Sequence, residues 1–261
     1  MSATHGKSAH TELAGSLAGE VKKFVDEMVI PNESQLAQDG DSASALQAEL
    51  TEKARSAGLW GLFYPLSCGG KIASLEDYLI VAEQEGRTEF SQAIFGSHSA
   101  LDAHMLLKFG SEEVRKNFLE PMVTGKAIAG YGMTEPEHGG SLPSLISTSA
   151  LPANGNWITN GRKWFVCNTD RATFVTVLAR TAGENVAIHQ ALSMIIVPTN
   201  AEGFKVERQI SMMGRHLGQG EMSFTNVQVP EHNILSAGGS GIALMGHRLN
   251  IARLLRSMNW V

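Results

Sequence analysis

The hydrophobic period changes near residue 126, and no other feature restricts the fold of this chain as much. Up to that point the apolar residues recur at helical spacing. Residues 12–29 carry Leu13, Leu17, Val21, Phe24, Val25 and Met28, and Pro31 stops the pattern. Residues 43–57 carry Leu46, Leu50, Ala54 and Ala57 on one stripe, ended by Gly58. Residues 74–86 open at Ser74, with Glu76 and Asp77 in the first turn, where a helix dipole favours anions. Residues 91–108 are apolar on several sides (Ile94, Phe95, Leu101, Met105, Leu106, Leu107), which predicts one buried helix ended by Gly110. Ser111 then caps a short helix with Glu112 and Glu113 in its first turn.

Beyond Lys126 the pattern is that of strands. Trp157-Ile158-Thr159 and Arg162-Lys163-Trp164-Phe165-Val166 flank Asn160-Gly161, which predicts a hairpin closed by a type I′ turn. Residues 173–179, 191–197, 204–210 and 222–229 are rich in Val, Ile, Phe and Thr, and Pro198 and Pro230 mark strand ends. Strands without helices between them predict an antiparallel barrel or sandwich. Helical spacing returns from Ile242 through Met245, Leu249, Ala252, Leu255 and Met258, and is unbroken up to Val261. The expected class is α+β: an N-terminal helical domain (1–126), a middle β-barrel or sandwich domain (127–237), and the first helix of a C-terminal helical bundle (238–261).

A chain of 261 residues has the length of about two domains. Charged residues make up 18% and hydrophobic ones 43%, so the chain can bury a core and is not of the disordered class. The net charge of −5 argues against a nucleic-acid-binding scaffold. Two cysteines, Cys68 and Cys167, are too few for a disulfide framework or a cysteine-based zinc site, which fits a reduced compartment. His98 and His104 are off the spacing of a helical zinc pair, so no metal is expected. No signal-peptide run and no membrane span is legible, and a soluble, cytoplasmic protein is the expectation.

The densest cluster of unusual residues is Tyr131-Gly132-Met133-Thr134-Glu135-Pro136, followed by Glu137-His138-Gly139-Gly140-Ser141, where helices give way to strands. Glycines let a backbone come close to a ligand, and exposed amides and hydroxyls bind polar or anionic groups. The same composition also makes an ordinary connector.

These residues resemble the flavin-binding signature of the acyl-CoA dehydrogenase family. Four further stretches resemble that family in the same order: Phe109-Gly110-Ser111-Glu112-Glu113 with Phe118-Leu119; Asn160-Gly161-Arg162-Lys163-Trp164-Phe165; Met213-Gly214 with Phe224, Val227, Val229 and Pro230; and Gly241 through Arg253. The resemblance implies an FAD-dependent α,β-dehydrogenation of an acyl thioester, in which a carboxylate takes the α-proton and the β-hydrogen leaves as hydride to the flavin. It implies cofactor contacts from Tyr131, Met133, Thr134, Gly140, Ser141, Phe165, Val166 and Cys167, and substrate contacts from Ser141, Asn250 and Arg253. Phe165 stands where the family has tryptophan, and Cys167 where it has a hydroxyl residue, so a hydrogen bond from that position is weakened.

In one branch of the family the catalytic carboxylate lies on the last helix present here. The position aligned with it is Ala252, so no catalytic residue is assigned, and the rest of the C-terminal bundle is expected to be missing from this chain. Glu135, Glu137 and Glu221 are the carboxylates at hand. The resemblance further implies acyl-CoA or an acyl-carrier thioester as substrate, an electron-transfer flavoprotein or another electron acceptor, and a homo-oligomer, tetrameric in the family. It implies neither nucleic acid nor membrane as a partner. An oxidase or monooxygenase on the same scaffold, and a non-catalytic partner subunit, are the other readings.

Overall fold

The computed structural model describes residues 9–38, 40–137, 142–183, 185–236 and 238–260. Two units emerge, residues 1–104 with 249–261, and residues 105–248.

The first unit is helical. Helix α1 (Ala9–Phe24) buries Ala14, Leu17, Ala18 and Val21 along one stripe and continues through a π-turn, Val25–Val29, before Pro31. Helix α2 (Asp41–Ser56) buries Ala43, Leu50 and Ala54. Helix α3 (Leu75–Glu85) starts where expected: the Ser74 hydroxyl accepts the Asp77 amide at 3.1 Å, satisfying one of the helix's open N–H groups. It packs on α1 and buries Tyr78, Val81 and Ala82, with Phe63 stacked on the Tyr78 ring.

The single helix expected over 91–108 is instead broken. A short turn, Ser91–Ile94, precedes a 3-10 turn at Ser97–Ser99, and helix α4 runs over Ala100–Phe109. Gly96 is the cause. Its φ of +72° lies in the left-handed region, and a Cβ there would stand 2.7 Å from the Trp60 ring. Of the apolar residues that suggested one helix, Ile94, Phe95, Met105 and Leu106 are buried, and Leu101 and Leu107 are half-buried.

The second unit is built on one eight-stranded sheet. Its strands are β1 (Ala129–Gly132), β2 (Ser149–Ala153), β3 (Asn156–Val166), β4 (Phe174–Arg180), β5 (Leu192–Pro198), β6 (Phe204–Met212), β7 (Arg215–Pro230) and β8 (Ile234–Leu235). They follow the order β6-β7-β3-β2-β4-β5-β8, with β1 beside β4. The sheet is mixed and does not close into a barrel. β1 runs parallel to β4 over residues 174–177, and β2 meets the same strand in parallel at Arg180. Parallel pairing requires a long connection, which residues 133–173 supply. Val166 on β3, Val175 and Val177 on β4, Ile195 and Val197 on β5, and Met222, Phe224 and Val227 on β7 share one buried core, so the sheet curls around its own inner face. Helix α5 (Gly241–Met258) follows the sheet.

The hairpin turn lies one Asn-Gly pair earlier than expected. Asn154 and Gly155, both at positive φ (53° and 74°), form the two-residue turn between β2 and β3. Asn160-Gly161 sits inside β3, opposite a β-bulge. The extra residue is on β7, where Asn226 has φ 51° and its amide donates to the Asn160 carboxamide oxygen. Gly161 itself is at φ +141°, and a Cβ would come within 2.8 Å of three Thr148 atoms, its Cα included. Gly161→Ala is therefore expected to cost about 2 kcal/mol in strain and crowding, read as a lower urea midpoint at unchanged slope.

Candidate functional site

Two segments of the second unit lie side by side, the end of β1 with the loop that follows it, and the end of β3. The Asn168 carboxamide donates to the Ala129 carbonyl at 2.9 Å. The Trp164 amide donates to the Thr134 carbonyl at 3.0 Å. Gly132 permits the close approach, since a Cβ there would touch the Lys163 stem at 3.2 Å. Tyr131, Met133 and Thr134 are thereby brought together with Trp164, Phe165 and Cys167.

A second bulge shapes this end of β3. Between Lys163 and Val166 the pairing with β7 slips, with Trp164 and Phe165 on the longer side. Phe165 takes φ 49°, a costly backbone for an aromatic residue, and its side chain is 43% exposed. Bulges of this kind re-aim a side chain and gather beside binding sites. Trp164 packs edge-on against the Phe165 ring, with centroids 4.9 Å apart, and its buried indole N–H has no hydrogen-bond partner among the described residues. Val166 has no exposed side chain and belongs to the sheet core, so only its backbone is available to a ligand. Cys167 is half-buried and in no disulfide. Tyr131 is half-buried on β1, with the Arg248 guanidinium 3.9 Å above its ring. The Thr134 side chain is half-buried and makes no hydrogen bond among the described residues. Gly140 and Ser141 lie outside the described residues. Asn250 and Arg253 are exposed on α5, on the part that belongs to the first unit.

Beneath the loop lies a buried ion pair. Lys163 Nζ is 2.8 Å from Glu135 Oε1 and donates to the Met133 carbonyl at 3.0 Å, and neither charged side chain is more than 2% exposed. Glu135 also accepts the Ser147 amide and hydroxyl and the Thr148 amide, at 2.7–2.8 Å. Burial works to raise the Glu135 carboxyl, but the Lys163 ammonium and these donors outweigh it and hold it down at about 2. Glu221 is equally committed: it takes Arg208 Nε at 2.8 Å and Arg162, which reaches Glu137 at 3.0 Å. The Arg208 hydrogen bond leads in lowering the Glu221 carboxyl. All three carboxylates noted from sequence thus have cationic partners.

The chain is similar to known proteins along most of its length. The acyl-CoA dehydrogenase N-terminal domain matches residues 11–126, and the acyl-CoA dehydrogenase middle domain matches residues 130–227. The chain belongs to the acyl-CoA dehydrogenase family. Acyl-CoA dehydrogenase family member 11 of mouse is 31% identical over 258 residues, covering 92% of this chain and 33% of the relative. The chain therefore spans about a third of that relative's length. A solved structure of a putative acyl-CoA dehydrogenase from Mycobacterium abscessus is 28% identical, with a TM-score of 0.84 over 97% of this chain and 67% of that one. The structure of PigA with FAD and proline shares the fold, with a TM-score of 0.79 at 21% identity, over 99% of this chain and 66% of that one. Among the described residues of this family member, no helix is long and apolar enough to cross a membrane.

Two residues beside these segments, Lys163 and Arg248, carry no signal in the sequence pattern. Lys163 sits in a strand whose alternation is broken by the bulge, so nothing in the pattern marks it as inward-facing. Arg248 is legible only as a charge on an amphipathic helix, and its place over Tyr131 depends on tertiary packing.

Proposed function

We propose that this chain forms part of an FAD-dependent oxidoreductase that dehydrogenates an acyl thioester between Cα and Cβ. The observation that carries the reading is the pairing of an aromatic side chain, Phe165, presented on a strained bulge, with a half-buried Thr134 hydroxyl on the adjoining loop that no described residue engages. A flat heteroaromatic ring with polar edges suits that surface: the ring would lie against Phe165 and Tyr131, and its polar edge would meet Thr134 and the backbone of Met133. Val166 would contribute its backbone, Cys167 a weak thiol contact, and Gly140 and Ser141 the far end of the loop. FAD supplies a hydride acceptor when bound.

The residues of this chain bind and orient. Phe165 and Trp164 exclude water from one side of the ring, and the Arg248 charge over Tyr131 holds that ring in place. Asn250 and Arg253 are proposed to meet the thioester, polarising its carbonyl so that the α-proton can be lost. Acyl-CoA or an acyl-carrier thioester, an electron-transfer flavoprotein or other acceptor, and further copies of the chain in a cytoplasmic homo-oligomer are the partners proposed from family membership.

The test is a titration of the purified protein with FAD, followed by quenching of flavin fluorescence. Saturable binding is expected. Thr134→Val should weaken it about five- to tenfold, the worth of one hydrogen bond. A protein that takes up no FAD, or a Thr134→Val variant of unchanged affinity, would contradict the reading.

A further inference from the structure

Lys163 is not among the flavin contacts proposed above, yet its surroundings are unusual. A lysine with no exposed surface is rare unless it is paired. This one reaches across from β3 to the loop after β1, where its ammonium meets two successive features: the Met133 carbonyl at 3.0 Å and the Glu135 carboxylate at 2.8 Å. The Trp164 amide then holds the Thr134 carbonyl at 3.0 Å. Three consecutive loop residues are thus tied to two consecutive strand residues. Glu135 carries the tie onward to the amides of Ser147 and Thr148, the segment that leads into β2. A purely apolar contact could fill this space with similar stability, because the desolvation of two buried charges offsets much of their attraction. A charged pair adds direction: it determines which way the Met133 carbonyl points, and with it the orientation of the next peptide and of Thr134.

We infer that Lys163 is a positioning residue for the flavin, setting the geometry of the Met133–Thr134 backbone against Phe165 through the Met133 carbonyl and Glu135. The inference rests on the flavin reading above.

The experiment separates positioning from stability. The double variant Glu135→Gln/Lys163→Met leaves no buried charge unpaired but turns one of the two acceptor oxygens into a donor, so one of the Ser147 and Thr148 amides loses its partner and the melting temperature should fall modestly, far less than for Lys163→Met alone. Its FAD affinity should nonetheless fall about tenfold, the loss of oriented hydrogen bonds at the ring edge. In the apoprotein, exchange of the Trp164 amide should quicken about tenfold by NMR, while the β4 amides of Val175–Leu178 remain as in the parent. Glu135→Asp supplies a milder arm that keeps both charges: the shorter carboxylate cannot serve Lys163 and both amides, and FAD binding should weaken about threefold. Parent-like FAD affinity and parent-like Trp164 exchange in these variants would overturn the inference. If the parent itself binds no FAD, the flavin reading fails, and Trp164 exchange alone decides whether Lys163 fixes the loop.

Discussion

Lys163→Met is expected to destabilise the sheet unit by about 3–5 kcal/mol at neutral pH, the cost of leaving a buried carboxylate without its counter-charge. The side chains of Lys163 and Glu135 are 0% and 2% exposed, so water cannot take over the lost interaction. The Met133 carbonyl loses its donor as well. The size of the loss should depend on pH. In the parent, burial tends to raise the Glu135 carboxyl, but Lys163 and the Ser147 and Thr148 donors bring it to about 2. The folded carboxyl thus titrates below its ordinary 4.5, and its contribution is complete above that value and lost as pH falls towards 2. Without Lys163 the buried carboxyl protonates far more readily. The gap between parent and variant should therefore be widest near pH 7 and narrow on acidification to pH 3. Urea unfolding at the two pH values measures it, and a gap that is small at pH 7 or widens in acid would contradict this account of the pair.

Glu85→Gln is expected to act in the opposite sense and to stabilise the helical unit in mild alkali. Glu85 is 2% exposed at the end of α3, and its hydrogen-bond partners are two hydroxyls, Tyr78 at 2.9 Å and Ser97 at 2.6 Å. Burial raises its carboxyl to about 7, and the two hydroxyls pull only part of the way back. The folded protein therefore holds a proton between about 4.5 and 7 that the unfolded chain has already released. Stability from this residue is complete at the acid end of that window and is lost as pH rises through 7. A displacement of that size corresponds to about 3 kcal/mol. Glutamine resembles the protonated form in shape and accepts from one hydroxyl while donating to the other. Parent and variant should nearly coincide at pH 4.5, and at pH 8 the variant should be the more stable by roughly that amount. A gap that does not change with pH would show that the carboxyl stays ionised throughout.

Residues whose surroundings are local were readable in the sequence. The Ser74 cap, the first helix up to Pro31 and the strand runs expected at 173–179 and 191–197, found at 174–180 and 192–198, all follow from spacing and turn chemistry within a few residues. What failed depended on distant contacts. Gly96 breaks a helix because Trp60 occupies the space beside it. Asn160-Gly161 is chemically as good a turn as Asn154-Gly155, and only the pairing of β3 with β7 decides between them. The parallel partnership of β1 with β4 leaves no mark on either strand. The loop at 131–141 was recognisable because glycine, threonine and proline cluster there, but its foundation was not. Thr159, Lys163 and Val166 are all buried on β3, at spacings of four and then three, and no period of two produces that series. The bulge at Trp164 and Phe165 breaks the alternation just after Lys163, so counting back by twos from Val166 passes Lys163 over.

The central claim is that the loop after β1 and the end of β3 together hold an isoalloxazine ring. Amide hydrogen exchange of the protein with and without FAD tests it most directly. The account predicts that FAD slows exchange in residues 131–135 and 164–168 more than anywhere else in the sheet unit, with little change at the β6–β7 turn around Met213. Protection centred elsewhere, or an exchange pattern indifferent to FAD, would contradict it.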